Sequence, residues 1–321
     1  MKTSFSKAIA LALSEAMERD DRVFCLGEDV GSGGAYGATQ GLRDRFGPDR
    51  VRNTPISEAA IVGFATGAAA TGMRPVAEIM HMDFTACAMD QIVNQTAKMR
   101  YMFGGKALLP LVIRTGVGGW LNAAAQHSQS LEAWFIHVPG LKVAAAGTAT
   151  DIRRLLLAAI ADDNPVIVME PLSLYERQEE IPDHPQAYRL GTADVKRRGS
   201  DVTLVTWGAT VPIVLEAATS LEKEGVSAEV IDLISLWPWD SDAVVESVTR
   251  TNRAVVVHQA NQRGGFGAEV AAVVSERAFD HLDAPVLRVG GLNAPVPFSP
   301  PLEQYVLPNA DRVVERVRSL G

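Results

Sequence analysis

Residues 53–80, NTPISEAAIVGFATGAAATGMRPVAEIM, contain the pattern that decides the fold. Pro55 interrupts any preceding helix, Ser57 is a favourable N-cap residue, and Glu58 begins a run that carries no other charge before Arg74. A helix that is apolar all round is expected to be buried. The RPVAEIM that follows is a short apolar run, as in a strand covered on both faces. The stretch therefore predicts a buried helix that leads into a buried strand.

The same alternation continues along the chain. Apolar runs of strand length are separated by segments with helical periodicity, the longest of which runs from about Phe84 to Met102. The runs are RVFCLG, RPVAEIM, LPLVIRT, LKVAAA and PVIVME, and later DVTLVTWG, SAEVIDLISL, AVVVHQA and APVLRVG. Such a pattern predicts an α/β fold with two domains and mostly parallel sheets.

Two features of the sequence indicate how the chain is organised. Residues 181–198 hold charges, two prolines and little apolar content, which predicts a linker between an α/β domain at 1–180 and a smaller one at 199–321. Near the start, Phe5, Ile9, Ala12 and Ala16 recur at helical spacing. This spacing predicts an amphipathic first helix rather than a cleaved leader.

Composition excludes several classes of protein. The 321 residues are 47% hydrophobic and 21% charged, with a net charge of −8, which argues against a partner with a phosphate backbone, so no nucleic-acid partner is expected. The uncharged run from Ala59 to Met73 is too short for a membrane span, so no membrane partner is expected. Cys25 and Cys87 form no CxxC motif, which excludes a disulfide framework and suits a cytoplasmic protein. Their apolar neighbours predict two buried, unreactive thiols.

The glycine-rich stretch at residues 27–41, GEDVGSGGAYGATQG, does not match a nucleotide-binding motif. Counted from Gly31, the dinucleotide fingerprint requires glycine where Tyr36 stands, and no Walker A sequence is present. A loop after the carboxyl end of a strand is suited to ligand binding in an open α/β sheet. A plain connecting loop remains the alternative.

Two ionisable residues stand out, and each has a structural and a chemical interpretation. Glu58 can simply complement the helix dipole, or it can be a functional acid whose pKa is lowered by the helix end and raised by desolvation. His127, between Gln126 and Ser128, follows a glycine-rich strand end without a nearby acid or a metal-binding spacing. His81 precedes MDF and can line the same cavity as His127. These residues alone do not identify a reaction.

Several longer stretches carry a resemblance to a known family. They include NTPISEAAIVGFATGAAATGMRPVAE, MDFTACAMDQIVNQTAKMRYMFGGKA, PLVIRTGVGG, AAAQHSQSLEAWFIHVPGLKV, VIDLISLWPWD and PVPFSPPLE, and they span nearly the whole chain. The chain resembles the β chain of the thiamine-diphosphate-dependent first component of 2-oxo acid and acetoin dehydrogenase complexes. The resemblance implies a pyrimidine-binding domain of the transketolase type followed by a transketolase C-terminal-type domain.

The resemblance also implies roles for individual residues. Glu58 matches the glutamate that hydrogen-bonds N1′ of the thiamine aminopyrimidine, and Phe84 matches the aromatic residue that packs on that ring. Ile56 matches an apolar residue beside the same site. His127 matches the histidine that faces the reacting carbon. Cys87 stands where the pyruvate branch tends to have a polar residue.

The resemblance also has implications for metal ions and partners. Some relatives bind potassium in a loop that matches Leu111, Ala159, Ile160, Asp162 and Asn164. The GDG and NN sequences that hold magnesium and the diphosphate in thiamine-diphosphate enzymes are missing here. The resemblance therefore implies a separate α subunit that holds these groups, in an α2β2 heterotetramer.

The implied activity is that of an oxidoreductase component. It cleaves acetoin or a 2-oxo acid and transfers the acyl group to a lipoyl-bearing acyltransferase. KMRYMFGGKA and AAAQHSQSLEAWFIHVPGLKV look nearest to the acetoin branch, with the pyruvate and branched-chain 2-oxo acid branches as alternatives. A more distant alternative is a non-catalytic scaffold subunit.

Overall fold

A computed structural model describes all residues from Met1 to Gly321. The chain forms two compact units, each of which is made of two segments. The first unit consists of residues 1–117 and 134–190, and the second consists of residues 118–133 and 191–321. The two-domain α/β fold predicted from the alternation of apolar runs is confirmed.

The strands of the first unit form a parallel sheet and a small antiparallel pair. The sheet has the order β6-β7-β5-β4-β2-β3, and its neighbouring strands are all parallel. The short β1 pairs antiparallel with β8. The strands are β1 (Lys2–Ser4), β2 (Val23–Gly27), β3 (Val51–Asn53), β4 (Arg74–His81), β5 (Val112–Val117), β6 (Lys142–Ala145), β7 (Val166–Pro171) and β8 (Gln178–Glu180).

The helices up to residue 161 cover this sheet. They are α1 (Phe5–Arg19), α2 (Leu42–Phe46), α3 (Glu58–Ala70), α4 (Ala97–Met102), α5 (Glu132–Ile136) and α6 (Ala149–Ala161). Ser4 caps α1 by accepting a hydrogen bond from the Lys7 amide, and Thr148 caps α6 in the same way. The predicted amphipathic first helix is confirmed, because the residues at helical spacing in α1 face the core and α1 packs against α6.

The second unit has its own five-stranded sheet of order β14-β13-β10-β11-β9. Only β9 runs antiparallel to its neighbour. The strands of this sheet are β9 (Asp194–Arg197), β10 (Val202–Thr206), β11 (Ala228–Asp232), β13 (Ala254–Asn261) and β14 (Leu287–Gly291). The short β12 (Ser235–Trp237) lies outside this sheet. The helices are α7 (Val211–Lys223), α8 (Ser241–Thr251), α9 (Gly267–Arg277), α10 (Pro300–Val306) and α11 (Ala310–Arg318). Valine and leucine side chains from β10, β11 and β13 pack with α7 and α11 in the core of this unit.

Part of the segment predicted as a linker is a strand. β9 pairs with β11, with Val195 opposite Ile231, although its sequence is largely polar. An edge strand needs backbone pairing on one side only, so a polar sequence is compatible with this position. The limits 1–180, 181–198 and 199–321 stay a prediction about domains. Residues 118–133, which lie within the predicted first domain, belong to the second compact unit.

Three local expectations are wrong. Helix α3 is not buried all round: Ile61 and Ala65 face the core, whereas Phe64 is 54% exposed. The segment predicted as one helix from Phe84 to Met102 consists of a 3-10 turn (Met82–Ala88), a π-helix (Asp90–Thr96) and then α4. Cys87 lies exposed on that 3-10 turn, because a turn with period three directs its side chain away from the core; only Cys25 is buried.

Candidate functional site

Glu58 occupies the first position of α3, after the N-cap residue Ser57. Ser57 makes no side-chain capping bond, so the predicted hydroxyl cap is missing. The Glu58 side chain is half-buried, and no side chain of this chain forms a hydrogen bond or ion pair with its carboxylate. A carboxylate at a helix N-terminus is stabilised by the helix dipole, yet it keeps its hydrogen-bonding capacity for another group.

A second acid, Glu28, shares the electrostatic environment of Glu58. Glu28 directly follows β2, and its pKa is raised because burial removes solvent and because the negative charges of Glu58, Asp29 and Glu78 repel its own. Two carboxyl groups without a neutralising cation favour the protonated form of one of them. Sequence reasoning missed Glu28, although its position after a parallel strand was an available signal.

A groove on the first unit is lined by residues that flank Glu58 in sequence. It has a volume of about 310 Å³ and is lined mainly by apolar atoms, with contributions from Asn53, Thr54, Ser57, Ile61 and Phe64. An apolar groove with a few polar groups can hold a flat heteroaromatic ring, and a free carboxyl group at its edge can orient a ring nitrogen. These features fit a thiamine pyrimidine.

Phe84 and Ile56 lie in different environments. Phe84 belongs to the 3-10 turn after β4, is half-buried and makes an edge-to-face contact with His81 at 5.4 Å between ring centroids. His81 is buried, and its Nε2 lies 2.8 Å from the hydroxyl of Tyr36. Ile56 precedes α3 and is 81% exposed. Glu58, Ile56 and Phe84 all lie in the first unit.

His127 lies in the second unit, on the loop between β5 and α5. Its side chain is exposed. The neighbouring residues Ser128 and Ser130 line a cavity of about 380 Å³ together with Gln259 and Asn261, all of the second unit. No charged residue lines this cavity.

The residues matched to a potassium loop are Leu111, Ala159, Ile160, Asp162 and Asn164, and each presents an oxygen that already accepts a hydrogen bond. Arg74 donates to the carbonyl of Ile160 at 2.9 Å, and Arg100 donates to Oδ1 of Asn164 at 2.6 Å. The Lys142 ammonium pairs with the Asp162 carboxylate. The carbonyls of Leu111 and Ala159 accept from backbone amides.

Three basic side chains therefore supply positive charge to this loop. Potassium binding stays a prediction from the resemblance, and no step below involves it. The chain contains no group of three or more His, Cys, Asp and Glu side chains arranged to hold a metal ion. None of the helices combines the length and the apolarity that crossing a membrane requires.

Comparisons with known families cover most of the chain. Residues 1–178 match the family described as "Transketolase, pyrimidine binding domain". Residues 191–313 match the family described as "Transketolase, C-terminal domain". A solved structure described as "Split gene transketolase, inactive beta4 tetramer" superposes with a TM-score of 0.84 at 26% identity, covering 99% of this chain and 98% of that chain.

Two curated relatives are similar over their whole length. The "Acetoin:2,6-dichlorophenolindophenol oxidoreductase subunit beta" of Bacillus subtilis is 45% identical, covering 97% of this chain and 95% of the relative. The "Pyruvate dehydrogenase E1 component subunit beta" of Rickettsia felis is 44% identical, covering 100% of this chain and 98% of the relative. The chain therefore belongs to the family of β subunits of the thiamine-diphosphate-dependent first components of acetoin, pyruvate and related 2-oxo acid dehydrogenases.

Proposed function

We propose that this chain is the β subunit of a thiamine-diphosphate-dependent dehydrogenase component that cleaves acetoin and passes the acyl group to a lipoyl-bearing acyltransferase. The observation that carries the proposal is Glu58, a half-buried carboxylate at the start of α3 with which no side chain of this chain forms a hydrogen bond or ion pair. Its hydrogen-bonding capacity is therefore open to a ligand. Thiamine diphosphate, when bound, would supply a nucleophilic carbon for addition to the carbonyl carbon of the substrate, which allows the bond next to that carbonyl to break.

Each residue of the site then has a defined task. Glu58 shares a proton with N1′ of the aminopyrimidine, which requires a carboxyl group that can donate near neutral pH. Phe84 packs against the pyrimidine ring and Ile56 excludes water beside it. His127 holds or moves a proton at the substrate.

An α subunit completes this site. The chain has neither GDG nor NN to bind magnesium and diphosphate, so these groups are held by the partner in an α2β2 assembly. The relatives of known name are called beta subunits, which supports the assignment. The exposed face of α3 is a candidate contact with a partner, because interface cores resemble domain cores. We expect the chain by itself to be inactive. A cytoplasmic location stays a prediction from the cysteine content.

The acetoin branch is favoured over two alternatives. Cys87 stands where the pyruvate branch tends to have a polar residue, and the 97–106 and 123–143 segments look nearest to acetoin enzymes. Pyruvate and branched-chain 2-oxo acids are the runner-up substrates. A non-catalytic scaffold is the more distant alternative. Glu58 and His127 together argue against it, because a subunit that only assembles partners has no use for both the matched acid and the matched histidine.

The test is an activity measurement on the reconstituted complex. The chain is co-expressed with its α subunit, and dichlorophenolindophenol reduction is measured with thiamine diphosphate and magnesium, offering acetoin, pyruvate and 3-methyl-2-oxobutanoate separately. We expect turnover of acetoin and a loss of at least about 100-fold in Glu58→Gln, the range of acid–base contributions. Glu216→Gln, at an exposed acid on α7, is the matched control and is expected to keep wild-type activity.

The outcomes separate the alternatives. Turnover of pyruvate or 3-methyl-2-oxobutanoate instead of acetoin would move the chain to that branch. A stable complex that binds no thiamine diphosphate, and whose behaviour is the same in Glu58→Gln, would favour the scaffold.

A further inference from the structure

The glycine-rich loop of residues 27–41 places an aromatic side chain against the end of β4. The hydroxyl of Tyr36 lies 2.8 Å from Nε2 of His81, and the two rings meet edge to face at 5.6 Å between centroids. His81 is only 3% exposed, whereas Tyr36 is 40% exposed. The pair therefore connects a solvent-facing loop with a buried ring at the carboxyl end of a central strand.

The contact continues from His81 to Phe84. The two rings meet at 5.4 Å with an interplanar angle of 68°. Phe84 stands three residues after His81, in the 3-10 turn that leaves the sheet. Because aromatic rings in edge-to-face contact restrict each other's rotation, the orientation of His81 limits that of Phe84. Tyr36 thus acts on Phe84 through one intermediate ring.

Tyr36 is itself supported by the buried centre of the sheet. Its ring meets the ring of Tyr175 at 6.0 Å and 89°. The Tyr175 hydroxyl donates to Glu170 at 2.6 Å, and Glu170 accepts two hydrogen bonds from the buried Arg114. This buried ion pair fixes Tyr175, so one side of Tyr36 rests on a rigid wall.

The loop is also tied to the segment that precedes Glu58. The amide of Gly31 donates to Oδ1 of Asn53 at 2.6 Å, and Thr39 donates to the carbonyl of Val30 at 2.8 Å. Gly34 has a positive φ of 72°, and a Cβ atom there would lie 3.2 Å from Oε1 of Glu78, so the loop lies directly against the sheet. The loop therefore contacts β3 and β4, the two strands that precede Glu58 and Phe84 along the chain.

We propose that Tyr36 is a positioning residue for cofactor binding: its hydroxyl holds the His81 ring, and His81 holds Phe84 in the orientation that receives the aminopyrimidine. This inference rests on the proposed function, which assigns the ring-packing role to Phe84. It gives the loop a task that its glycine spacing does not indicate. A Phe84 ring that is already oriented loses less entropy when the cofactor binds. Removing the Tyr36 hydroxyl is therefore expected to change the affinity for the cofactor.

A purely structural role would show itself in stability. Tyr36→Phe keeps the ring contacts with His81 and Tyr175 and removes only the hydroxyl. If the hydroxyl only supports the fold, its removal lowers the melting temperature without a specific effect on cofactor affinity. A positioning role instead predicts weaker cofactor binding with an unchanged melting temperature.

The experiment uses the complete complex with its α subunit. The dissociation constant of thiamine diphosphate is measured by calorimetry with magnesium present, together with kcat at saturating cofactor and the melting temperature. The variants are Tyr36→Phe, His81→Phe and the double variant, with Tyr305→Phe as the matched control at a tyrosine that is 72% exposed. We expect Tyr36→Phe to weaken cofactor binding roughly 3- to 10-fold, the size of a net hydrogen bond, with an unchanged melting temperature and less than about a twofold change in kcat.

The double variant gives an independent check. Either single change removes the same hydrogen bond, so the double variant is expected to bind the cofactor no more weakly than the weaker single variant. Wild-type affinity in Tyr36→Phe, an equal loss in Tyr305→Phe, or a lowered melting temperature that accounts for the weaker binding would each overturn the inference. A wild-type complex that binds no thiamine diphosphate would overturn the proposed function itself, which distinguishes the two failures.

Discussion

Gly140 lies where the loop before β6 passes the start of α4. Its φ is +104°, and a Cβ atom at this position would overlap the backbone carbonyl of Ala97. Lys98 adds a hydrogen bond to the carbonyl of Pro139 at 2.8 Å, so the loop and the helix are held together at this point. The atoms that a Cβ would meet belong to the backbone of Ala97, which cannot move aside as a flexible side chain can. The position therefore requires glycine.

Gly140→Ala is expected to lower the free energy of unfolding by at least about 3 kcal/mol, because it adds a steric overlap to the strain of a left-handed backbone. The matched control is Gly105→Ala, which has a φ of +80° and open space around its Cβ position. The control is expected to cost only about 1 kcal/mol. Urea unfolding of the two variants measures the difference, and equal losses would contradict the steric argument.

At the same scale, the sequence indicated Glu58 but not its surroundings. The absence of charge between Glu58 and Arg74 was visible in the sequence. The sequence pointed to His81 beside MDF and missed Glu28, and in both cases the neighbours that give the residue its environment are distant along the chain. A single titratable residue acquires its role from contacts that periodicity does not encode.

Among the elements, α3 departs most from its sequence pattern. Its apolar residues surround the helix, which predicted complete burial, yet Ala60 and Phe64 are exposed. Hydrophobicity alone does not distinguish a surface buried by the same chain from one that is covered by another chain. The assembly proposed above resolves the conflict by placing a partner on this face.

Phe64→Ser is expected to weaken assembly with the α subunit at least tenfold, about 1.4 kcal/mol, because large apolar residues dominate interface energies. The stability of the separate chain is expected to fall by about 1 kcal/mol, because the variant loses the edge-to-face contact of Phe64 with Phe24 at 6.4 Å between ring centroids. Analytical ultracentrifugation of the mixed subunits measures assembly. Phe279→Ser, at a phenylalanine that is 74% exposed in the second unit, serves as the control. Unchanged assembly in Phe64→Ser would remove α3 from the interface.

The helical segment after β4 shows a second kind of departure. Its periodicity predicted one continuous helix, but it changes from a 3-10 turn to a π-helix before α4 begins. The hydroxyl groups of Thr66 and Thr96 meet at 2.6 Å in a buried position and join the end of the π-helix to α3. This tertiary hydrogen bond helps to fix the π segment, whose register local propensity does not specify.

At the scale of the whole molecule, a buried histidine couples stability to pH. His258 on β13 is fully buried and stacks on Trp207 at 5.2 Å with an angle of 7°. Burial, aided by the charge of Arg288, lowers the pKa of His258 to about 4. The unfolded chain, with an ordinary histidine pKa near 6.5, therefore takes up a proton before the folded chain does.

The sign of the effect follows from this order. The contribution to stability is fully present above pH 6.5 and is lost as the pH falls through the interval from 6.5 to about 4. Between pH 7.5 and 4.5, we expect His258 to account for about 2–3 kcal/mol of lost unfolding free energy. Urea unfolding followed by tryptophan fluorescence at both pH values measures it. His258→Gln is expected to lose that much less on acidification, and identical losses in the two proteins would contradict the assignment.

The sequence by itself determined the α/β class, where most strands lie along the chain, the amphipathic first helix and the position of Glu58 at the start of a helix. These properties depend on residues within one or two turns of each other, and short-range periodicity records them directly. The missing GDG and NN sequences also limited the chemistry that one chain can perform.

Tertiary structure alone decided which face of α3 is buried, that residues 118–133 belong to the second unit, and that Tyr36 meets His81 across 45 positions of sequence. It also placed donors from Arg74, Arg100 and Lys142 on the oxygens matched to a potassium loop. The physical reason is that these arrangements depend on which strands and loops become neighbours. Strand pairing and loop packing bring together residues that share no local pattern.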